Sequence, residues 1–442
     1  MKIRFVTLGC KLNFAESSAL GKELLLRGHQ RATLNEVPDV CVVNTCSVTD
    51  AADHKDRQAI NQLHRKYPNA TIVVTGCYAQ LQPEQISQIE GVDYVLGQNE
   101  KYDIPALVEE IEQQLLNRPS PIANCQSPIA DRIRVAAIRE VEEFHGVRSA
   151  DDRTRCFIKV QDGCNYFCTY CTIPYARGKS RNPKIEEVVK DAQEALNQGA
   201  KELIITGVNI GDFGRSTGES FIELLRALDV LEVESRDKRV EIRDERDYRV
   251  RISSCEPNLL TDEIIEFVAQ SKHFAPHFHI PLQSGSNEVL KIMKRRYTRE
   301  LFAERVRRIK ELMPHAFIGV DCMVGVRGET EEYWEDYLAF IKGLDVSQLH
   351  VFTYSERANT KMLEMDLYVV PKKERQRRSK ILHEVSEEKT KAFYAKHAGS
   401  KAVVLWESKK EGDQMSGFTE NYIKVYGPYD KAKINCFEEI LL

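Results

Sequence analysis

The most constraining feature of this sequence is a run of three closely spaced cysteines. Cys164, Cys168 and Cys171 form a C-x3-C-x2-C pattern shortly after a predicted strand over residues 157–160. Thiolates at this spacing suit zinc or an iron–sulfur cluster, because one short loop can bring all three to a single centre. A tetrahedral zinc site needs a fourth ligand, and no cysteine or histidine follows within a few residues. A four-iron cluster held by three cysteines instead keeps one iron open for a small molecule.

Length and composition favour a multidomain globular protein. At 442 residues the chain is long enough for two or three domains. No apolar run approaches the roughly 20 residues that a membrane span needs, and the N-terminus predicts a strand rather than a signal peptide. The grouping of the 12 cysteines favours metal binding in a reducing cytosol, so we expect a cytoplasmic protein. A net charge of −4 gives no global attraction to nucleic acid, so such binding requires local patches.

Three strands in the first hundred residues each end near a cysteine. The predicted elements are strands over residues 3–7, 40–44 and 71–75 and helices over 15–27, 53–66 and 104–116. This alternation predicts a parallel α/β domain over residues 1–116, with the strand ends along one edge. Cys10, Cys46 and Cys77 each follow a strand end, so we expect them to converge as a second three-thiolate site. The alternative is an ordinary buried cysteine, which is our interpretation of Cys41 within its strand.

The central segment alternates strand and helix six times. Six βα units with right-handed crossovers predict a partial (βα)6 barrel over residues 154–371, after a linker over residues 117–153. The predicted strands are residues 157–160, 203–206, 249–253, 278–281, 318–324 and 349–352. The cysteine run follows the first of them, on the face where such barrels carry their active sites. The charged residues 232–247 predict a surface insertion.

The C-terminal part changes character twice. A charged helix is predicted over residues 372–397, and short strands with glycine turns over residues 398–442 predict a small β-barrel. The predicted fold class is therefore α/β multidomain, with a small β-barrel at the C-terminus. Five further cysteines have no partner at ligand spacing and are interpreted as structural: Cys125, Cys156, Cys255, Cys322 and Cys436.

Motifs along the whole chain resemble the methylthiotransferases. These are iron–sulfur enzymes with an N-terminal three-cysteine domain, a central radical S-adenosylmethionine (SAM) domain and a C-terminal TRAM domain. The C-x3-C-x2-C run resembles the radical SAM signature, whose open iron binds the amino and carboxylate groups of SAM. The other motifs are Thr7–Asn13, Asn44–Thr49, Val74–Gln80, Ile173–Arg181, Ile205–Gly211, Ile280–Ser286 and Arg295–Thr298.

The variants of two motifs indicate a branch of the family. Gly9-Cys10-Lys11-Leu12-Asn13 and Asn44-Thr45-Cys46-Ser47-Val48-Thr49 are similar to the branch acting on threonylcarbamoyladenosine at position 37 of tRNA. The isopentenyladenosine branch favours Gly-Cys-Gln-Met-Asn, and the branch modifying a ribosomal-protein aspartate favours Gly-Cys-Pro-Lys-Asn.

Two segments depart from the family pattern. Residues 325–330 read Gly-Val-Arg-Gly-Glu-Thr where Gly-Phe-Pro-Gly-Glu-Thr is usual, and residues 354–360 lack the usual proline and glycine.

The resemblance implies cofactors and a reaction. Cys164, Cys168 and Cys171 would hold a SAM-cleaving [4Fe-4S] cluster, and Cys10, Cys46 and Cys77 would hold an auxiliary one that carries a sulfide. A radical derived from SAM would open C2 of the adenine to receive the methylthio group. The implied partners are tRNA at its anticodon arm, an electron donor such as a flavodoxin or ferredoxin and a sulfur donor, with no membrane.

The resemblance also assigns binding roles. Tyr170 either presents its backbone to the adenine of SAM or packs. The other expected SAM residues are Gly207, Asn209, Ser253 and Gln283, each with turn formation or capping as the alternative. Arg177, Lys179 and Arg181 would contact tRNA phosphates, against the alternative of a solvated loop. Phe418, Tyr422 and Lys424 of the C-terminal barrel would grip the anticodon arm by shape and stacking.

Two competing functions stay open at this point. One is the same chemistry acting on isopentenyladenosine or on a ribosomal aspartate. The other is a non-enzymatic RNA-binding protein with structural metal sites, which predicts no SAM cleavage under strong reductant.

Overall fold

The computed structural model describes residues 1–33, 35–117, 132–149, 154–232 and 247–442. The chain divides into two compact units. The first comprises Met1–Asp151, Asp162–Asn165 and Cys171–Lys179, and the second comprises Asp152–Gln161, Tyr166–Tyr170 and Ser180–Leu442. Cys164 and Cys171 thus belong to the first unit, and Cys168 belongs to the second.

A 6-stranded sheet in the order β2-β1-β3-β4-β5-β6 forms the centre of the first unit. All of its pairings are parallel, as predicted. The strands are β1 (Lys2–Thr7), β2 (Gln30–Arg31), β3 (Val40–Thr45), β4 (Thr71–Gly76), β5 (Tyr94–Leu96) and β6 (Ile133–Arg134). The helices are Lys11–Leu26, Asp50–Lys66, Cys77–Leu81, Pro83–Ser87, Ile104–Leu116 and Ile173–Arg177.

Alternating side chains cover both faces of this sheet. Val40 and Val42 of β3 belong to one buried apolar cluster, and Cys41 and Val43 belong to another. Each cluster includes residues of flanking helices, so the sheet is covered on both sides. In register, Thr7 of β1 is opposite Asn44, and Thr45 of β3 is opposite Gly76, so the three central strands end at nearly the same level.

The second unit begins with two three-stranded parallel sheets, β7-β8-β9 and β10-β11-β12. Isolated parallel bridges, Val250 to Phe274 and Ser254 to His279, link β9 and its following loop to the β10 side. The strands are β7 (Arg155–Lys159), β8 (Glu202–Thr206), β9 (Arg249–Ile252), β10 (His277–Gln283), β11 (Phe317–Val324) and β12 (Gln348–Thr353). The helices are Ile185–Asn197, Phe221–Leu228, Asp262–Gln270, Asn287–Ile292, Arg299–Leu312 and Glu331–Gly343.

This chain order of six βα units confirms the partial barrel. Leu203 and Ile205 of β8 and Val250 of β9 pack into the large apolar core with the surrounding helices. Because side chains alternate along a strand, Glu202, Thr206 and their counterparts on neighbouring strands face the other side of the sheet. The interior of the partial barrel is therefore partly polar.

The C-terminal strands form a curled antiparallel sheet, which confirms the predicted change of architecture. The long helix Lys372–His397 precedes it. The sheet has the order β15-β14-β13-β16, with β13 (Lys401–Glu411), β14 (Gln414–Thr419), β15 (Lys424–Pro428) and β16 (Phe437–Leu441).

Most predicted elements match the observed ones to within a few residues, but short elements were missed. Three of them matter for the site: β5, the helix Cys77–Leu81 and the helix Ile173–Arg177. Cys125 and most of the predicted 232–247 insertion lie outside the described residues. No helix in the described part of the chain combines the length and apolar character that crossing a membrane requires.

Candidate active site with two cysteine triads

The parallel sheet of the first unit places three cysteines at one edge. Cys10 is the N-cap residue of the helix that follows β1, Cys46 follows β3, and Cys77 begins the helix after β4. Gly9, with a φ of 97°, approaches closely, since a Cβ there would lie 2.6 Å from Cβ of Cys46. The glycine before the first cysteine thus allows the loop after β1 to lie against Cys46.

The three thiols interact electrostatically. Burial, followed by the charges of Cys77 and Cys10, raises the pKa of Cys46 to about 12. Burial also raises the pKa of Cys77, and nearby Arg177 and Lys101 oppose that rise. Three thiolates whose charges influence one another need positive charge among them, which an iron–sulfur cluster would supply. The donor set therefore fits such a cluster.

A buried polar chain surrounds Cys77. Its Sγ accepts a hydrogen bond of 3.1 Å from Nε2 of Gln98. Nζ of Lys101 donates to Oε1 of Gln98 and forms an ion pair of 2.6 Å with Glu16. Neither Gln98 nor Lys101 was predicted, because they follow the unpredicted strand β5 and no motif marks them.

Arg177 completes this network. Its guanidinium contacts Glu16 at 3.1 Å and Asp162 at 3.0 Å, and it donates to Oδ1 of Asn13 at 2.7 Å. The residue is only 1% exposed. The guanidinium is enclosed by these partners within the first unit, so tRNA would reach it only if the network opened. The predicted tRNA contact of Arg177 stays a prediction.

The C-x3-C-x2-C loop begins with a tight turn in the first unit. Gly163 has a φ of 69°, and a Cβ there would lie 2.0 Å from the carbonyl oxygen of Lys179. The N–H of Cys164 donates to the carbonyl of Gly178 at 3.0 Å. Only glycine permits this close return of the chain beside the first cysteine.

Within the second unit, the middle of the loop is fixed by the segment around residue 293. Thr169 donates its N–H to Met293 O at 3.1 Å and its hydroxyl to Ile292 O at 2.8 Å. Cys168 is buried, and its Sγ accepts a hydrogen bond of 3.2 Å from Nη1 of Arg295. An N–H donor directed at sulfur is the usual environment of a cluster thiolate, so Cys168 fits that role.

Among the described residues, no group of three or more His, Cys, Asp and Glu side chains has the geometry of a site for a single metal ion. In a four-iron cluster each cysteine binds a different iron, so its sulfurs do not have to meet at one ion.

The expected SAM residues of β8 lie in a turn held by Gln161. Oε1 of Gln161 accepts from the N–H of Val208 at 3.0 Å and from the N–H of Asn209 at 2.7 Å. Gly207 is required here, since a Cβ would lie 2.8 Å from Gln161 O. In the described part of the chain, both polar atoms of the buried Asn209 amide have no hydrogen-bond partner, which fits a residue that binds a ligand. Gln161 was not predicted.

The remaining SAM candidates also lie at strand ends or near them. Gln283 ends β10 with a φ of 65°, and its buried Oε1 finds no hydrogen-bond partner among the described residues. Ser253 follows β9 and donates its N–H to Ile205 O. The Tyr170 ring packs in an apolar cluster with Met293 and its neighbours.

The two segments that depart from the family pattern contact each other. Arg327 stands at the usual proline position and donates to Oε1 of Glu356, in the second segment, at 2.9 Å. Val326 is buried in the neighbouring apolar cluster, and Gly325 donates its N–H to Oε1 of Glu329. Asn359, in the segment that lacks a glycine, has a φ of 63°. The departures therefore form one locally paired structure.

The aromatic residues predicted to contact tRNA, Phe418 and Tyr422, pack against residues of the partial barrel. Phe418 stacks on Tyr422 with ring centroids 4.7 Å apart, and Tyr422 lies 5.6 Å from the Phe317 ring. The guanidinium of Arg155 lies over Phe418, and that of Arg251 lies over Tyr422. Arg155 and Phe317 are the first residues of β7 and β11, whereas the cysteine loop follows the C-terminal end of β7.

Buried charges strengthen this packing. Glu202 pairs with Arg249 at 2.5 Å and with Arg251 at 3.1 Å. The two guanidinium groups donate in turn to Phe418 O and Thr419 O of β14. Phe418 and Tyr422 thus help to attach the C-terminal sheet to the partial barrel, and both side chains are partly exposed. Their predicted stacking on tRNA stays a prediction.

The other three tRNA candidates differ in exposure. Lys179 is exposed, whereas Arg181 is buried. Nζ of Lys424 lies 4.7 Å from the ring centre of Tyr426, which is 54% exposed. Tyr426 was not predicted, although it continues the alternation of β15.

Comparisons with known proteins agree with this architecture. The model of the radical SAM superfamily matches residues 158–341, and that of uncharacterized protein family UPF0004 matches residues 2–97. The radical SAM methyltransferase TsrM from Kitasatospora setae, solved with cobalamin and a [4Fe-4S] cluster, superposes with a TM-score of 0.56 at 16% identity, covering 82% of this chain and 76% of that one. This likeness concerns the fold.

Curated relatives match nearly the whole chain. The threonylcarbamoyladenosine tRNA methylthiotransferase MtaB of Bacillus subtilis (strain 168) is 36% identical, covering 96% of this chain and 89% of that protein. The MtaB of Aquifex aeolicus is 34% identical, with 96% of each chain covered. A tRNA-2-methylthio-N(6)-dimethylallyladenosine synthase of Fusobacterium nucleatum is 31% identical, covering 98% of this chain and 97% of that protein. The chain therefore belongs to the MtaB-type tRNA methylthiotransferase family of radical SAM enzymes.

Proposed function

We propose that the protein methylthiolates C2 of N6-threonylcarbamoyladenosine at position 37 of tRNA, using SAM and two [4Fe-4S] clusters in the cytoplasm. Its product is 2-methylthio-N6-threonylcarbamoyladenosine. An electron donor such as a flavodoxin or ferredoxin and a separate sulfur donor complete the reaction.

The observation that carries this proposal is the edge of the first sheet. Cys10, Cys46 and Cys77 are brought there by three parallel strands, with Gln98 donating to one sulfur. A radical SAM enzyme that only cleaves SAM needs one three-cysteine site. A second such site, outside the partial barrel, supports a reaction that also inserts sulfur.

The chain's own residues position the reactants. When bound, the clusters and SAM supply the radical and the sulfur chemistry. Gln161 holds the β8 turn, Gly207 lets that turn lie against Gln161, and the unpartnered Asn209 amide is available to bind a ligand. Gln283, in a strained conformation at the end of β10, is placed to do the same.

The substrate branch rests on sequence. Lys11 and Leu12 after Cys10, and Ser47 after Cys46, follow the threonylcarbamoyladenosine pattern. Five relatives named for that nucleoside are 31–36% identical. Relatives named for the dimethylallyl nucleoside are 29–31% identical, so methylthiolation of isopentenyladenosine is the second candidate, and that of a ribosomal aspartate is the third.

The first test is mass spectrometry of tRNA nucleosides from cells with and without the gene. We expect the 2-methylthio form to disappear while threonylcarbamoyladenosine accumulates. Loss of methylthiolated isopentenyladenosine or of the ribosomal mark instead would overturn the substrate assignment and retain the chemistry. An unchanged set of all three would contradict the proposed function.

A further inference from the structure

Arg295 is a buried cation that contacts a cysteine sulfur directly. Its side chain is 4% exposed, and its Nη1 lies 3.2 Å from Sγ of Cys168 and 3.4 Å from the Tyr170 hydroxyl. Both contacts lie within the second unit. A surface basic residue of this segment would be expected to face solvent, as the exposed Arg296 does.

Two neighbours fix the guanidinium in this position. Nη2 pairs with Oε2 of Glu256, and Nε donates to the Tyr297 hydroxyl at 3.0 Å. The single proton of the Tyr297 hydroxyl is shared between the carbonyl oxygens of Pro281 at 2.6 Å and Leu282 at 2.9 Å, near the end of β10. Two of the three guanidinium nitrogens, Nε and Nη2, are thus held by residues outside the cysteine loop, which leaves Nη1 directed at Cys168 and Tyr170.

The charge on Arg295 persists in this buried position. An arginine guanidinium stays protonated in proteins, and the Glu256 carboxylate beside it supplies a counter-charge. A hydrogen bond from a charged donor is stronger than one from a neutral donor. The reduction potential of an iron–sulfur cluster responds to charge and to hydrogen bonds at its sulfurs.

We propose that Arg295 is a positioning residue that orients Cys168 and raises the reduction potential of the SAM-cleaving cluster. Reduction adds a negative charge to the cluster, and a fixed cation on one of its thiolates stabilises that reduced form. Glu256 opposes this effect while it holds the guanidinium in place. The inference rests on the cluster that the radical SAM family implies and does not depend on the identity of the nucleoside substrate.

The test is a redox titration of the reconstituted full-length enzyme, monitored by electron paramagnetic resonance (EPR). The signal that changes when SAM is added identifies the SAM-cleaving cluster. We expect Arg295→Gln to make its reduction about tenfold less favourable, a shift of ~59 mV to more negative potential for a one-electron couple. Arg295→Lys keeps the charge and should lie between Arg295→Gln and the wild type.

Glu256→Gln provides a test of opposite sign. It removes the opposing charge while leaving an oxygen that can accept from Arg295, so the potential should move to a less negative value. Arg307→Gln is the matched control, because Arg307 is exposed and pairs with Glu311 of the same helix. Iron content and far-UV circular dichroism are measured for every variant, to separate a shifted potential from a lost cluster or a lost fold.

The direction of the two shifts in reduction potential decides whether Arg295 has the proposed role. Opposite shifts for Arg295→Gln and Glu256→Gln, at full iron content, support the proposal. Equal potentials in the wild type and both variants would overturn it, as would shifts of the same sign. If Arg295→Gln does not retain its cluster, the sign of the Glu256→Gln shift alone decides. A wild-type enzyme without a SAM-sensitive signal would overturn both this inference and the proposed function.

Discussion

The two cysteine triads are built in different ways. Cys10, Cys46 and Cys77 are far apart in sequence and meet because three parallel strands end at the same edge. The other triad lies within one loop, so its spacing comes from the sequence itself. The sheet therefore determines where the ligands of the first triad lie. For the second triad, the rest of the fold supplies only the groups that surround the loop.

The triads also differ in the donor that contacts a sulfur. Cys77 accepts from the neutral amide of Gln98, with Lys101 one step further away. Cys168 accepts directly from the guanidinium of Arg295. Clusters bound at the two triads would therefore have different reduction potentials, which would suit the proposed division between electron transfer to SAM and sulfur insertion.

Removing a ligand from each triad in turn should separate two activities. We expect Cys168→Ala to reduce formation of 5′-deoxyadenosine from SAM to background, because the SAM-cleaving cluster loses a ligand. Cys46→Ala should retain SAM cleavage under strong reductant but form no methylthiolated tRNA. Chromatography of both products from the same reactions makes the comparison.

Cys41→Ala is the control, since Cys41 is buried within β3 and outside both triads. Loss of SAM cleavage in Cys46→Ala with an intact SAM-sensitive EPR signal would show that the two sites do not act separately.

The polar network of the first triad should be costly to break. In Arg177→Met, Glu16 and Asp162 lose a buried cationic partner, and removing one member of a buried ion pair typically costs ~3–5 kcal/mol. Urea unfolding monitored by circular dichroism measures the loss of stability.

Lys179→Met is the matched control, because Lys179 is exposed two residues away, and a change within about 0.5 kcal/mol is expected. The same pair tests tRNA binding. Lys179→Met should reduce the slope of the logarithm of tRNA affinity against the logarithm of salt concentration by about one counterion. If a folded Arg177→Met reduced this slope equally, Arg177 would not be enclosed when tRNA binds.

Removing the neutral hydrogen-bond donor of the first triad, Gln98, should change a reduction potential less than removing Arg295. Gln98→Leu removes one neutral hydrogen bond to Cys77, and such bonds contribute about 0.5–1.5 kcal/mol. We expect the auxiliary EPR signal, which SAM does not perturb, to move to more negative potential by less than the Arg295→Gln shift. A larger shift from Gln98→Leu would reverse this order of the two donors.

The smallest effect should come from the two segments that depart from the family pattern. Arg327 and Glu356 form a partly exposed ion pair, so a double-mutant cycle with Arg327→Gln and Glu356→Gln should give a coupling of about 0.2–1 kcal/mol. Additive effects on thermal unfolding would show that the pair contributes nothing. A coupling that appears in SAM affinity but not in stability would assign the pair to the ligand site.

Periodicity and spacing predicted much of the fold. The strands that precede the cysteines and those of the six βα units have clear patterns, because a parallel strand buried on both faces is a continuous apolar run. The C-terminal strands were predicted from short strand patterns separated by glycine turns. The missed elements β5 and Ile173–Arg177 are short and carry no such pattern. The site residues that sequence patterns did not mark lie in or next to these elements: Gln98 follows β5, and Arg177 ends the helix Ile173–Arg177.

The sequence by itself determined the six cysteines, their grouping and the order of the domains, since ligand spacing and strand patterns are local properties. Only the tertiary structure decided what the charged and aromatic residues do. Arg177 and Arg295 look like surface cations in the sequence, yet each is buried against acidic partners. Phe418 and Tyr422 look like a binding platform, yet they pack beneath the partial barrel. A polar side chain can be buried when distant residues supply its hydrogen bonds and counter-charges, and those residues become its neighbours only when the chain folds.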